Sequence, residues 1–360
     1  MKKRRISSRP FSFETDVGAN PHFHAREIGP VMKALIGGAY KGGVDVLGLQ
    51  PNTTVPLTTA SRVSHYHRSA LGFAGGEKWS LMQFIPFVML TEDTTFNDLK
   101  ACKVAGIRDG KIYPYFRTTK SKHGVRRYGK MLQIVRWCGE LGIRVHAHFE
   151  HPDPVYINRD AEYLCLPICQ EFLQESTAVI FWEHGSDARC IPAWKKFADT
   201  YPERFFVTLT AHHLAWNEDQ AFGDVRKKCK PPIKTEFDRL AFLQLIAENY
   251  QWVMLGADDA AHDVQAKHVH SGKCNCGAYT SQFLMALCAH TLEALLYTAH
   301  GRRVFQNFTS RNARKVFGLP RATRKIRLER VETKIPLSYQ IANWIVEPPG
   351  AGETINWRVR

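Results

Sequence analysis

Short runs of Val, Ile, Leu and Phe alternate with longer amphipathic stretches along the 360-residue chain. Repeated βα units produce that alternation. Eight strands are predicted near Gly18–His24, Val44–Leu49, Gln83–Leu90, Lys103–Ile112, Ile143–Phe149, Thr177–His184, Phe205–Thr210 and Trp252–Ala257. Helices are predicted between them, among others over Gly124–Leu141, Asp160–Glu175, Asp187–Thr200 and Thr235–Asn249, with Ser281–Ala299 after the last strand. Asp160 and Asp187 are placed to cap theirs. The pattern predicts a (β/α)8 TIM barrel over residues 15–320, after a basic segment over 1–14. Residues 321–360 are expected to be a C-terminal extension of the same domain, packed back onto the barrel.

Chemistry-bearing residues sit at the ends of different apolar runs. His22 and His24 close the first, Lys111 the fourth, His148 the fifth, His184 the sixth and Asp258 the eighth. Residues so far apart in sequence meet only if their strands end on one rim, and a barrel gathers its catalytic residues at the C-terminal ends of its strands. Alternate residues of a strand share a face, so His22 and His24 can both point inward while Phe23 packs outward. Two such histidines supply half a zinc shell, and His148 and His184 can serve a second metal. His146 shares a strand with His148, and spacing alone does not exclude it.

Lys111 would be costly to bury charged and alone. A salt bridge to Asp258 or Glu150 is one resolution. Addition of CO2 to its amine, giving a carboxylate that can bridge metals, is another. Asp258 can be a ligand, a base for a metal-acidified water, or a helix cap, with Asp259 the stronger candidate for the cap. Arg26 can grip a carboxylate through paired hydrogen bonds or serve as a surface cation. Asn52 offers an amide donor or plain turn chemistry. His262, Thr118 and Thr119 come from long loops near the same rim, over Tyr113–His123 and Asp259–Ala278.

The formal net charge is +15, but the cationic residues are scattered, in Met1–Arg5, Lys120–Arg127, Lys227–Lys234 and Arg321–Arg330. No nucleic-acid motif accompanies them, so a basic surface and an anionic small substrate are expected rather than a polyanion. Nine irregularly spaced cysteines argue for a reducing compartment, hence a cytoplasmic protein. Cys229, Cys274 and Cys276 lack the paired spacing of a zinc ribbon and read as reduced structural thiols. His212-His213, His65-x-His67 and His268-x-His270 read as loop or surface residues. Polar residues over Ile6–Asn20 replace the apolar stretch of a signal peptide, and no run reaches the length of a membrane span.

From about Phe13 onward, these residues together resemble the dihydroorotases of the class II, single-function bacterial type, within the amidohydrolase superfamily. His22-Phe23-His24-Ala25-Arg26 is similar to the family's His-x-His-x-Arg, and Gln50-Pro51-Asn52 with Pro56-Leu57-Thr58-Thr59 to its Met-Pro-Asn…Pro-x-Thr-Thr. Lys111-Ile112-Tyr113-Pro114, Thr118-Thr119 and His123-Gly124-Val125 resemble the carbamylated-lysine strand and the segment after it. His148, Glu183-His184, Leu255-Gly256-Ala257-Asp258 and His262 fall where the family has its next elements, as do Cys229, Cys274-x-Cys276 and Ala351-Gly352-Glu353-Thr354…Trp357.

The resemblance implies reversible cyclisation of N-carbamoyl-L-aspartate to L-dihydroorotate, a step of pyrimidine biosynthesis. Two zinc ions per chain would be held by His22, His24, Lys111 (N6-carboxylated), His148, His184 and Asp258. Asp258 would shuttle the proton. Arg26, Asn52 and His262 would hold the substrate carboxylate, with Thr118, Thr119 and, through its backbone, Lys230 also touching substrate. A homodimer is implied as well.

Departures from the family are Asn20 for Asp, Phe149 for a Gly near the metals, Ala257 for Thr, and Asp259-Ala260-Ala261 for Ser-Ala-Pro. The competing readings are a hydantoinase-like amidohydrolase, which would not need the Arg26 cluster, and a catalytically silent barrel binding a partner or polyanion.

Overall fold

The computed structural model describes residues 10–153, 155, 159–269 and 275–360. The Met1–Arg5 cluster, His270 and Cys274 therefore lie outside the described residues. After β1 (Ser12–Asp16) come eight parallel strands: β2 (Gly18–Phe23), β3 (Val44–Leu49), β4 (Gln83–Leu90), β5 (Asp109–Ile112), β6 (Arg144–Ala147), β7 (Ile180–Trp182), β8 (Phe205–Leu209) and β9 (Val253–Leu255). They pair in chain order in one sheet. A bridge between Phe23 and Asp259, with the His24 N–H on the Asp259 carbonyl at 2.9 Å, ties the exit of β9 to that of β2 and brings the sheet almost to closure. The fold is the expected (β/α)8 barrel.

Sequence explains the strands directly. Every residue of β2, β3, β5, β7 and β8 is buried, as in a sheet covered on both faces. Gly48 in β3 permits the close approach of β2: a Cβ there would lie 1.9 Å from the Pro21 oxygen. Within the lower barrel, Val46, Ile85, Phe87, Phe181, Phe206 and Met254 pack with Phe317, which follows the helix Asn312–Val316 and plugs the N-terminal end. The open end of the barrel is therefore the rim where the strands finish.

The C-terminal segment packs on the barrel as expected. Three antiparallel strands, β1, β10 (Lys325–Lys334) and β13 (Thr354–Val359), form a separate sheet in the order β1-β10-β13, beside the hairpin β11 (Tyr339–Ile341) and β12 (Trp344–Val346). Trp357 is fully buried and meets Phe11 and Phe13 edge-on, each at 5.8 Å between ring centroids. Glu353 joins the tail to the barrel loops, accepting from the Trp216 indole at 2.8 Å and from Lys227 at 2.6 Å.

Several local expectations are corrected. The fourth predicted strand spans only Asp109–Ile112, because Phe96–Val104 is a helix opened by a capping box between Thr95 and Asp98. Asp187 does cap, accepting from the Arg189 N–H, whereas the Asp160 side chain caps no helix and the regular α-helix starts at Leu166. The predicted Ser281–Ala299 helix is broken. Leu284–Thr291 and Glu293–Leu296 are separate helices, and Thr298 caps a new one over Ala299–Gln306.

Candidate metal centre and its rim

β2 delivers His22 and, one step past its end, His24 to the same side of the barrel mouth. Their Nε2 atoms are 3.3 Å apart, and Asp258 Oδ1 lies 3.1 Å from the first and 2.9 Å from the second. A second group shares His22. Glu183 Oε2 is 3.2 Å from His22 Nδ1, and the His184 ring stands 5.1 Å from that of His22 between centroids. His22, His24 and Asp258 bring their ligand atoms within 4.8 Å of one another, and so do His22, Glu183 and His184. The His148 ring lies 4.4 Å from the His184 ring, and its Nε2 meets the Glu150 carboxylate at 2.6 Å.

Lys111 is fully buried, and its amine touches the Glu183 carboxylate. Neither Asp258 nor Glu150 forms the salt bridge considered from sequence. His146 lies deeper, stacked on Phe181 with centroids 4.1 Å apart and bonded to Asp109 at 2.9 Å. The barrel interior thus separates two histidines that strand alternation left equivalent.

The chain bends sharply at three of these positions. Arg26, His184 and Asp258 have φ of 64°, 45° and 47°, in the left-handed region that side chains with a Cβ disfavour. Strained backbone of this kind clusters where side chains must be aimed.

Protonation follows burial. His22 and His24 are both pushed down to about 4, chiefly by loss of solvent. Burial drives the Lys111 amine well below its ordinary value. Burial alone would raise the Asp258 carboxyl, but the adjacent His22 and His24 outweigh it and hold Asp258 well below the usual carboxylate range. The result is a set of neutral imidazoles, an amine shifted toward its neutral form and an ionised carboxylate, the direction that favours binding metal.

A cationic rim overlies the cluster. The Arg26 Nε donates to the Ala261 carbonyl at 2.6 Å, and its Nη2 lies 3.0 Å from His262 Nε2. The Tyr66 hydroxyl pins the Arg26 carbonyl at 2.5 Å. Asn52 joins both layers: its Oδ1 is 2.8 Å from His24 Nδ1, and its Nδ2 donates to the Thr119 carbonyl at 3.2 Å. The Thr119 hydroxyl and the Cys276 backbone exchange hydrogen bonds at 3.2 Å. The Thr118 backbone closes a turn with the Ser121 hydroxyl. Lys230 lies on the loop after β8, where its charge acts on Glu150.

Two departures noted in the sequence acquire explanations. Phe149 does not intrude on the cluster but faces outward onto Trp182, with centroids 4.5 Å apart. Asn20 accepts from the Ala257 N–H at 2.8 Å and donates to Asp259 at 3.3 Å. Asp259 is no cap for the short helix that follows, which Asp263 caps instead; its carboxylate holds Thr280 at 2.7 and 2.8 Å. Sequence reasoning overlooked Glu183 as a candidate ligand, although it precedes His184. It also overlooked Tyr113, whose hydroxyl donates to Gln50 at 3.0 Å and Asn52 at 3.2 Å.

The barrel rim gathers buried histidines and an aspartate into a donor set that could hold metal ions. Curated dihydroorotases from Helicobacter hepaticus (29% identical; 94% of this chain and 95% of that protein) and Nitrosomonas europaea (27%; 94% and 95%) align over almost the whole chain. A crystal structure of dihydroorotase in complex with 5-fluoroorotic acid, from Saccharomyces cerevisiae, superposes with a TM-score of 0.87 at 23% identity, covering 97% of this chain and 98% of that one. No protein-family model matches the chain. The chain is thus similar to dihydroorotases over almost its whole length, in sequence and in fold.

Buried neutral histidines have a consequence for stability. His22, His24, His146 and His212 are each lowered from 6.5 to about 4, first by burial. Between those values the unfolded chain binds protons that the folded chain does not, so stability is full above the window and falls as pH drops through it. Each histidine contributes at most about 3 kcal/mol across the whole window. The urea midpoint of metal-free protein is expected to be lower at pH 5 than at pH 7. An equal midpoint would contradict buried neutral imidazoles.

Proposed function

We propose that the protein interconverts N-carbamoyl-L-aspartate and L-dihydroorotate, using two zinc ions held at the barrel rim. The observation that carries this reading is the stacking of two layers: the His22–His24–Asp258 cluster below, and Arg26 with His262 and Asn52 directly above. The dihydroorotase relatives support the same reaction. The donor set fits a metal pair. His184 Nδ1 is buried without a hydrogen-bond partner among the described residues, which is costly unless something else engages it, and Lys111 and His22 Nδ1 converge on the one Glu183 carboxylate.

His22, His24 and Asp258 would hold one ion and His148 and His184 the other, with Lys111 shared. The neutral Lys111 amine is the form that adds CO2, and N6-carboxylation would make it an anionic ligand. That anion would face Glu183, a pairing relieved by the positive charge of bound metal. Bound zinc supplies a Lewis acid for the ring carbonyl and a water acidified toward neutral pH.

Asp258 accepts the proton of the attacking water and passes it to the ring nitrogen as the C–N bond breaks, leaving a free carboxylate and a carbamoyl amide. In the synthetic direction the amide nitrogen attacks, and Asp258 returns the proton to the departing water. Arg26, fixed by Ala261 and His262, remains a cation with its group lowered only to about 10, and it grips the substrate carboxylate beside Asn52. Thr118, Thr119 and the Lys230 backbone flank the same ligand. We read the protein as a cytoplasmic homodimer; among the described residues no helix is long and apolar enough to cross a membrane.

Elemental analysis tests the metal assignment. Lys111→Ala is expected to lose zinc from the rim and to lower turnover at least roughly 100-fold, the scale on which positioned catalytic groups act. Full zinc content and turnover in that variant would remove Lys111 from the centre.

A further inference from the structure

His212 and His213 follow β8 on the short helix Ala211–Ala215, and the loop after it brings Cys229 against them. All three side chains are buried, at 0%, 5% and 3% exposure, and their ligand atoms lie within 4.8 Å of one another. His213 Nε2 is 3.8 Å from Cys229 Sγ. A tetrahedral zinc ion with ordinary Zn–N and Zn–S bonds separates such donors by about 3.6 Å.

A purely structural account explains two of the three. The Pro231 carbonyl accepts from His213 Nε2 at 3.0 Å and from the Cys229 thiol at 3.2 Å. It leaves His212 unexplained. Neither ring nitrogen of His212 has a hydrogen-bond partner among the described residues, although the side chain is wholly buried. Buried polar atoms are rarely left unpaired without a reason such as an ion.

We propose that His212, His213 and Cys229 form a further zinc site, separate from the rim pair, that clamps the Cys229–Lys230 segment onto the end of β8. Two imidazoles and a thiolate make a donor set suited to zinc(II), with one position left for water. On binding, Cys229 releases its proton to solvent and forms the S–Zn bond. His213 binds through Nε2 and carries its proton on Nδ1, where the Thr210 hydroxyl stands 2.8 Å away to accept it. A hydrogen bond of that kind orients metal-bound histidines generally. Pro231 gives up both donors, and His212 gains the partner it lacks.

Cobalt(II) is the probe, because a cobalt–thiolate bond gives intense near-ultraviolet charge-transfer absorption that imidazole and carboxylate ligands do not. The whole protein, loaded with cobalt and freed of excess, is expected to show that absorption and to hold one ion more per chain than Cys229→Ser. The absorption should vanish in Cys229→Ser and weaken in His212→Gln, while the rim variant His24→Ala retains it. Absence of the band in the wild-type protein overturns the proposal, as does its persistence in Cys229→Ser. If Cys229→Ser fails to fold, His212→Gln decides: unchanged cobalt content and absorption overturn the site. None of these readouts depends on turnover, so failure here leaves the rim chemistry standing and failure there leaves this site standing.

Discussion

Asp258→Asn is expected to reduce turnover of L-dihydroorotate by roughly 10,000-fold, the upper end of what a positioned acid–base group supplies. The carboxylate stands 2.9 Å from His24 Nε2 and 3.1 Å from His22 Nε2, so in the proposed site it would serve both as a ligand and as the proton acceptor. Its neighbours hold it ionised far below neutral pH. An amide of the same shape keeps an oxygen that can face a metal but takes up no proton at working pH. The loss should therefore fall on kcat, with a much smaller change in KM. A variant that kept wild-type kcat would remove Asp258 from proton transfer.

Arg26→Ala is expected to lower kcat/KM for L-dihydroorotate about 100-fold, the value of losing a charge-assisted hydrogen-bonded pair in a buried site. The measurement that isolates the cause uses 5,6-dihydrouracil, the same ring without the carboxylate. Slow hydrolysis of that compound should hardly change in the variant. Equal losses on both substrates would mean that Arg26 shapes the rim through Ala261 and His262 rather than gripping an anion, and would favour a hydantoinase-like substrate.

Much of this architecture is legible in the sequence because parallel strands buried on both faces read as unbroken apolar runs. All eight barrel strands fall within the runs that predict them. The fourth is too long in prediction because Lys103 and Val104 continue a β-like pattern into a helix end, where the Thr95–Asp98 capping box is the stronger signal. His22 and His24 are legible from strand alternation, as is the outward turn of Phe23. The same alternation places Phe149 on the outward face, against Trp182. Depth along the barrel axis is what alternation does not encode. His146 and His148 share a face, yet one stacks on Phe181 and the other reaches the His184 ring. Glu183 reads from sequence as the neighbour of a ligand, and only the convergence of β2, β5 and β7 shows it touching His22 and Lys111. His212-His213 reads as a loop pair until the segment carrying Cys229 folds back over it.

Zinc-loaded wild-type protein incubated with L-dihydroorotate in bicarbonate, with the appearance of N-carbamoyl-L-aspartate followed, tests the proposed reaction most directly. Steady hydrolysis is expected, abolished by a metal chelator and restored by zinc with bicarbonate. Absence of turnover in protein whose rim holds its zinc would contradict the account and direct the site to another cyclic amide.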